Sequence, residues 1–278
     1  MKRFRAIATD LDGTLLRSDG TVSERTQRAV RDAEDAGLQF IIATGRPPRW
    51  IAPVVEQLGE RGLVICANGA AVYDPAQHEL ISTVEIAAAV ALELVDEIQL
   101  TFPEALLGVE QGFEFAIDES YEQKGQDLAA SWKLEGLRIG PIRSFLTTGV
   151  LKLMVRLPRS EASGASVTMQ KVVGDRALVT HSIDESFLEL SHPSVHKAAA
   201  VEQLLYTSDV DASQVAAFGD MPNDLELIRW AGLGVAVANA HQHLLDAADE
   251  VTFSNDADGV AVVIERILAE QFDPSQHP

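Results

Sequence analysis

A repeated grammar constrains the fold of this 278-residue chain more than any other feature: a short apolar run, a polar or glycine-containing stop, then a segment with helical periodicity. Ala6-Ile7-Ala8 reads as a buried strand that stops at Asp10-Leu11-Asp12-Gly13-Thr14-Leu15. Thr21 with Glu24 makes a capping-box start, Ala29, Val30, Ala33 and Ala36 recur at helical spacing, and Gly37 supplies the C-terminal stop. Leu38 to Ala43 is the next apolar run, ending in Thr44-Gly45-Arg46. A helix is predicted from Pro47 or Pro48 to Gly59, and Leu63 to Ala67 is a third strand, ending in Asn68-Gly69-Ala70. The grammar returns near the C-terminus, with strands at Val215–Phe218, Leu233–Val237 and Val251–Phe253. Helices are expected there up to Trp230, over about 240–248 and over about 258–270. Such alternation predicts an α/β fold, a parallel sheet with helices on both faces.

Between about Thr83 and Leu188 the pattern changes. Residues 85–99 look helical, Phe113–Ile117 and Leu151–Leu157 alternate in strand fashion, and Ala177–Thr180 with Ser186–Leu190 make a hairpin pair. Mixed helices and alternating strands predict an inserted α+β domain. The expected organisation is a core of residues 1–82 and 189–278 interrupted by an insert at 83–188.

The net charge of −20 argues against nucleic acid as a partner, because phosphate backbones are bound by lysine and arginine. It argues equally against an anionic membrane surface. A small anionic substrate stays compatible, because a local cation inverts the field inside a site. No apolar run approaches the ~18 residues of a membrane span. The basic start, Met1-Lys2-Arg3-Phe4-Arg5, leads into a stretch broken by Asp10 and Asp12 rather than into the apolar region of a signal sequence. The single cysteine, Cys66, cannot form an intrachain disulfide and reads as buried filler in its apolar run. A cytoplasmic protein is expected.

In an open parallel sheet, ligands bind beyond the carboxyl ends of the strands. Here those ends carry Asp10 and Asp12, Thr44-Gly45, Asn68-Gly69, Asp220, and Asn223 with Asp224. Turn residues belong at loops whatever the function, and a lone D-x-D-x-T pattern arises by chance in about one chain in twenty of this length. Three or four aspartates on one sheet edge are a different matter. Two like charges ~4 Å apart repel by roughly 4 kcal/mol at an effective dielectric of ~20, so these carboxylates need a counter-ion. All-oxygen ligation suits Mg²⁺, which usually acts with phosphate. Thr44 offers a hydroxyl, and Gly45 lets backbone N–H groups approach an anion at the start of a helix. Phosphoryl transfer asks a protein mainly for positioning and charge neutralisation.

Asp10-x-Asp12-Gly13-Thr14, Thr44-Gly45-Arg46, Lys197 and Gly219-Asp220-x-x-Asn223-Asp224, in that order, resemble the four motifs of the haloacid dehalogenase (HAD) superfamily. Asn68-Gly69-Ala70, Val235-Ala236-Val237-Ala238-Asn239-Ala240 and Asp258-Gly259-Val260-Ala261 narrow the resemblance to the Cof-type branch with a C2 cap. The resemblance implies a Rossmann-like core, a cap inserted after the third core strand, and a Mg²⁺-dependent phosphatase. Carried over residue by residue, it makes Asp10 the nucleophile that forms an aspartyl-phosphate. Asp12 becomes the acid that protonates the leaving oxygen and then the base that activates water. Thr44 and Lys197 would hold and neutralise the phosphoryl group, with Asn223 helping and with Gly45, Arg46 and Asn68 near the mouth of the site. The metal would sit on Asp10, the backbone carbonyl of Asp12 and Asp220, with Asp224 nearby. The spacing of Asp10 and Asp12 does not itself say which of them attacks. The chain departs from the family in flanking Lys197 with His196 and Ala198 instead of a small residue and a glycine. Alanine suits the helix predicted to begin there, and His196 either contacts substrate or faces solvent.

The implied substrate is a small phosphorylated metabolite, a sugar phosphate first, with pyridoxal phosphate and flavin or nucleotide monophosphates as further candidates. A phosphomutase or other phosphotransferase would use the same chemistry, and a receiver-type phospho-acceptor also combines aspartates, threonine and lysine. Asp12 favours a hydrolase, and an insert of this size has no role in a receiver. Four other features read as structural. Asp209-Val210-Asp211 precedes its strand and is expected to cap. His241 and His243 should point to different faces of a helix. Asn255-Asp256-Ala257-Asp258-Gly259 should be a turn ahead of the last helix, and Trp132 and Phe145 are expected in a core.

Overall fold

The computed structural model describes residues 3–124, 136–181 and 185–272. In chain order the strands are β1 (Ala6–Thr9), β2 (Gln39–Ala43), β3 (Leu63–Cys66), β4 (Ala71–Asp74), β5 (Glu79–Thr83), β6 (Leu106–Gln111) and β7 (Glu114–Asp118). They continue as β8 (Arg138–Gly140), β9 (Lys152–Arg156), β10 (Leu178–His181), β11 (Phe187–Ser191), β12 (Val215–Gly219), β13 (Leu233–Ala236) and β14 (Glu250–Val251). The helices are α1 (Glu24–Asp35), α2 (Ala52–Leu58), α3 (Ala88–Thr101), α4 (Glu119–Lys124) and α5 (Ile142–Phe145). After them come α6 (Ala165–Val173), α7 (Lys197–Tyr206), α8 (Leu225–Trp230), α9 (Gln242–Leu245) and α10 (Gly259–Phe272). The chain divides into two compact units, one of Met1–Arg46, Trp50–Ser82 and His196–Pro278, the other of Pro47–Arg49 and Thr83–Val195.

The first unit holds one sheet of order β14-β13-β12-β1-β2-β3-β4-β5, a Rossmann-like α/β core. From β14 to β3 every neighbour is parallel, and β4 then turns back against β3. β1 lies in the middle and is buried throughout, as its unbroken apolar run requires of a parallel strand covered on both faces. Register decides which residues share the carboxyl edge. Thr9 aligns with Phe218 of β12 and with Ile42 of β2, so the next residues of all three strands emerge on one edge. Those residues include Asp10, Gly219-Asp220 and Ala43-Thr44.

Local chemistry moves some expected boundaries. Ser23, not Thr21, caps α1, accepting from the Thr26 N–H at 3.0 Å, because the Thr21 hydroxyl is committed to Asp19 at 2.6 Å. Pro48–Trp50 forms a 3-10 turn and α2 begins only at Ala52, later than the predicted start. β4 and β5 lie outside the predicted elements: neither shows alternation, and β5 is mostly exposed.

The second unit is built on a sheet of order β10-β11-β9-β6-β7-β8, antiparallel except between β7 and β8. Because β11 pairs with both β9 and β10, this unit runs past Leu188, where the insert was expected to end. Alternation sorts its two faces. Leu107, Val109, Leu153, Val155, Leu188 and Leu190 pack with Leu94 and Ile98 of α3 and Met169 of α6, and Phe145 joins that core. The opposite face carries Phe115, Met154 and Phe187 together with Glu110, Lys152 and Glu189. Arg49 forms a bidentate pair with Glu110 at 2.6 and 3.0 Å, its guanidinium 4.6 Å over the Phe115 ring, while Lys152 pairs with Glu189 at 2.5 Å. Trp132 lies outside the described residues.

Removing one partner of a buried ion pair leaves the other charge uncompensated. Glu110→Ala is therefore expected to destabilise the protein by about 3–5 kcal/mol. Glu110→Gln, which keeps an acceptor, should cost less. Denaturant unfolding of the two variants checks this, and equal stability would contradict it.

Candidate active site

The site belongs to the first unit and starts where β1 ends. Asp10 is the first residue beyond the strand, its N–H bonded to the Phe218 carbonyl at 2.9 Å. The chain then makes one wide turn closed by the Leu16 N–H on the Leu11 carbonyl at 2.9 Å, with Asp12 extended and Gly13 at φ 74°. Gly13 is required twice over. An L side chain is strained at that φ, and a Cβ there would stand 2.4 Å from Asp220 Oδ2. At the end of β12, Gly219 plays a similar part, since its Cβ would fall 2.5 Å from that of Asp224.

Lys197, the first residue of α7, is almost wholly buried at 1% exposure. Its ammonium donates to Asp10 Oδ1 and to Asp224 Oδ1, both at 2.6 Å. The other oxygen of Asp224 accepts the backbone N–H groups of Asp220 and Met221, each at 3.1 Å. Asp220 in turn accepts from the Thr14 hydroxyl at 3.0 Å. Burial opposes the charge on Lys197, but Asp10 and Asp224 outweigh it and hold the ammonium protonated. Burial pushes the Asp10 carboxyl well above the usual range against the pull of Lys197, with Asp224 adding to the rise. Burial, then Asp224, pushes Asp220 up to about 6.

The remaining predicted residues gather around this centre. Thr44 is buried, and its hydroxyl accepts the Arg46 N–H at 3.1 Å. The Asn68 N–H reaches the Thr44 carbonyl at 2.9 Å, and the Asn68 side chain accepts from Asn223 at 3.2 Å. A Cβ on Gly45 would lie 3.3 Å from that Asn68 oxygen, so the three turns meet. The Asp12 carboxylate is 57% exposed and faces Arg46, which grips it at 2.5 and 2.8 Å. It is not among the carboxylates that gather close enough to share a metal ion. His196 is the N-cap of α7: Nδ1 accepts the Ala199 N–H at 3.2 Å, with Glu226 Oε2 3.1 Å away.

Asp10, Asp220 and Asp224 each offer a carboxylate oxygen within 4.8 Å of the others. Three buried acids against one ammonium leave an excess of negative charge that suits a divalent cation. Asp224 spends both oxygens on Lys197 and backbone N–H groups, so Asp10 and Asp220 are the pair left to meet an ion. Among the described residues no other such cluster occurs. His241 and His243 do not point apart as expected. The helix α9 starts only after His241, and the two rings meet edge to face at 4.8 Å. Asp211 caps the turn before β12 by accepting the Ser213 N–H at 2.8 Å. Thr14 was missed as a site residue although it stands inside the first motif. Asn239, which donates to the Gly13 carbonyl at 2.8 Å, was missed although it follows a strand end.

The model of the haloacid dehalogenase-like hydrolase family matches residues 7–264. The chain is a haloacid dehalogenase-like hydrolase. The hydrolase is similar to phosphatase YwpJ of Bacillus subtilis, 30% identical over 296 aligned positions covering 95% of this chain and 100% of the relative. It is also similar to the 5-amino-6-(5-phospho-D-ribitylamino)uracil phosphatase YitU of the same organism, 27% identical, with 96% and 97% covered. A haloacid dehalogenase-like hydrolase from Bacteroides thetaiotaomicron superposes with a TM-score of 0.81 at 27% identity, over 95% of this chain and 100% of that one. No helix among the hydrolase's described residues is long and apolar enough to cross a membrane.

The raised Asp220 fixes the sign of a pH effect. Between its ordinary range and about 6, the cation-free folded protein binds a proton that the unfolded chain lacks, so this group favours folding at low pH and opposes it above. A divalent cation needs the carboxylates ionised. Its addition should therefore raise the unfolding temperature more at pH 7.5 than at pH 5, and a shift independent of pH would contradict the assignment.

Proposed function

We propose that this hydrolase is a Mg²⁺-dependent phosphatase that cleaves a small phosphorylated metabolite, a sugar phosphate first, through a phosphoryl group carried on Asp10. The observation that carries the reading is the Lys197 ammonium fixed between Asp10 and Asp224 beside Asp220, at the edge where Thr44 and Asp12 also emerge. The relatives named above as phosphatases support the reaction class. The name of one of them, whose substrate carries a phosphorylated ribityl chain, supports a sugar-like substrate.

Asp10 attacks phosphorus, the bond from phosphorus to the ester oxygen breaks, and Asp12 gives that oxygen a proton. Asp12 then takes a proton from water as the water attacks the phosphoryl group, which leaves as inorganic phosphate and restores the Asp10 carboxylate. Ester plus water gives alcohol plus phosphate. Lys197 pulls against the burial that opposes the Asp10 charge and faces the developing charge, while the Thr44 hydroxyl and N–H groups of the 44–46 turn hold phosphoryl oxygens, with Asn223 and Asn68 beside them. Arg46 holds Asp12 near the mouth until substrate competes for the guanidinium. Bound at Asp10, Asp220 and the Asp12 backbone, with Asp224 behind them, Mg²⁺ would neutralise phosphoryl oxygens as a Lewis acid.

Phosphate release from a panel of phosphorylated metabolites with Mg²⁺ tests the reading. Asp10→Asn should lower release at least a thousandfold for every member, on the order seen when other catalytic nucleophiles are removed. Near-wild-type activity would sink the nucleophile assignment. Asp12→Asn should lower kcat/KM, which reports transfer to Asp10, about 10²–10⁴-fold for sugar phosphates but much less for p-nitrophenyl phosphate, whose leaving group needs no proton.

A further inference from the structure

The turn that carries Asp12 is held from outside by a set of contacts that the reaction itself does not explain. Asn239, just beyond β13, donates through Nδ2 to the Gly13 carbonyl at 2.8 Å. Its Oδ1 accepts the Asn255 N–H at 3.0 Å. Asn255 is buried, and its own side chain donates to the Leu16 carbonyl at 2.9 Å. Further out, Asp258 grips Arg17 at 2.9–3.2 Å, and Asp256 accepts from the Ser18 N–H and hydroxyl at 2.8 and 2.7 Å. The segment expected to be a plain turn before α10 is therefore the seat of a clasp on Gly13 to Ser18.

Each amide is fixed in one orientation by its partners. Asn239 must donate to a carbonyl and accept from an N–H, and Asn255 must donate to a carbonyl, so aspartate fits neither. The carboxylate of Asp12 is half exposed and held only by the Arg46 side chain among its described partners. Its aim thus depends on the backbone on either side. On one side Asp10 is anchored to β12. On the other, the first anchored backbone group is the Gly13 carbonyl, one residue away.

We infer that Asn239 and Asn255 are positioning residues that aim Asp12 at the leaving oxygen. The inference rests on the phosphatase reading above. Misplacing a reacting group by ~1 Å costs on the order of 10²-fold. Asn239→Asp keeps the acceptor for Asn255 and replaces the donor to Gly13 by a repelling oxygen. Asn255→Asp does the same toward Leu16 while leaving its N–H in place.

The test compares kcat/KM for glycerol phosphate, an alkyl ester that needs the acid, with that for p-nitrophenyl phosphate. Each asparagine variant is measured with Asp12 intact and again in an Asp12→Asn background. Expected is a loss of about 10–100-fold on the alkyl ester, mostly in kcat, at least tenfold greater than on the aryl ester. In the Asp12→Asn background the further loss should shrink below about twofold. Equal losses on the two esters, or a full loss persisting without Asp12, would overturn the inference and leave the phosphatase reading intact. Unfolding of both variants at the assay temperature would make the clasp a stability element and overturn it likewise. A wild-type protein that releases phosphate from neither ester, nor from the metabolite panel, would overturn the phosphatase reading itself and the inference with it.

Discussion

The structure of the site depends on one buried ammonium. Lys197 sits between Asp10 and Asp224 with almost no solvent around it, and burying any of these charges singly would cost several kcal/mol. Held together they satisfy one another, and the arrangement dictates much of what surrounds it. α7 must begin at Lys197 for its side chain to reach both acids, and His196 closes that helix end. Gly219 must lack a side chain for Asp224 to come close enough, and Gly13 must lack one for Asp220. The remaining negative charge is what makes a cation site of the cluster.

The parallel sheet makes this convergence possible. Residues more than two hundred positions apart, such as Thr14 and Asp220, meet because β12 and β2 flank β1 in register and all three end at one edge. The turns beyond that edge are polar and satisfied by one another, Asn68 by Asn223 and Thr44 by Arg46. The clustered carboxylates thus stand on a rigid frame rather than on free loops.

Much of this was legible before any coordinates. The apolar runs at 6–8, 38–43 and 215–218 mark strands because parallel strands covered on both faces have no polar side to confuse the pattern. Asp10, Thr44, Asp220 and Asp224 stood out because strand ends concentrate chemistry in such sheets, whereas Lys197, at a helix start, and the separate tasks of Asp10 and Asp12 came from family resemblance. What stayed hidden was set by tertiary partners. Thr21 and Ser23 compete for one cap, and Asp19 decides the contest. The pairing of Asp12 with Arg46 and the clasp from Asn239 and Asn255 involve residues whose neighbours in sequence give no sign of the contact. The charged face of the second unit, with Glu110, Lys152 and Glu189 in the inward register, breaks the rule that buried strand positions are apolar.

The central claim is that Asp10 carries the phosphoryl group between substrate and water. Acid quenching during turnover, followed by peptide mapping by mass spectrometry, tests it most directly. One phosphoryl group is expected on the peptide containing Asp10, absent from Asp10→Asn and accumulating when Asp12→Asn slows its hydrolysis. Phosphate released in the quenched turnovers with no phosphorylated Asp10 peptide, in the wild type and in Asp12→Asn alike, would contradict it.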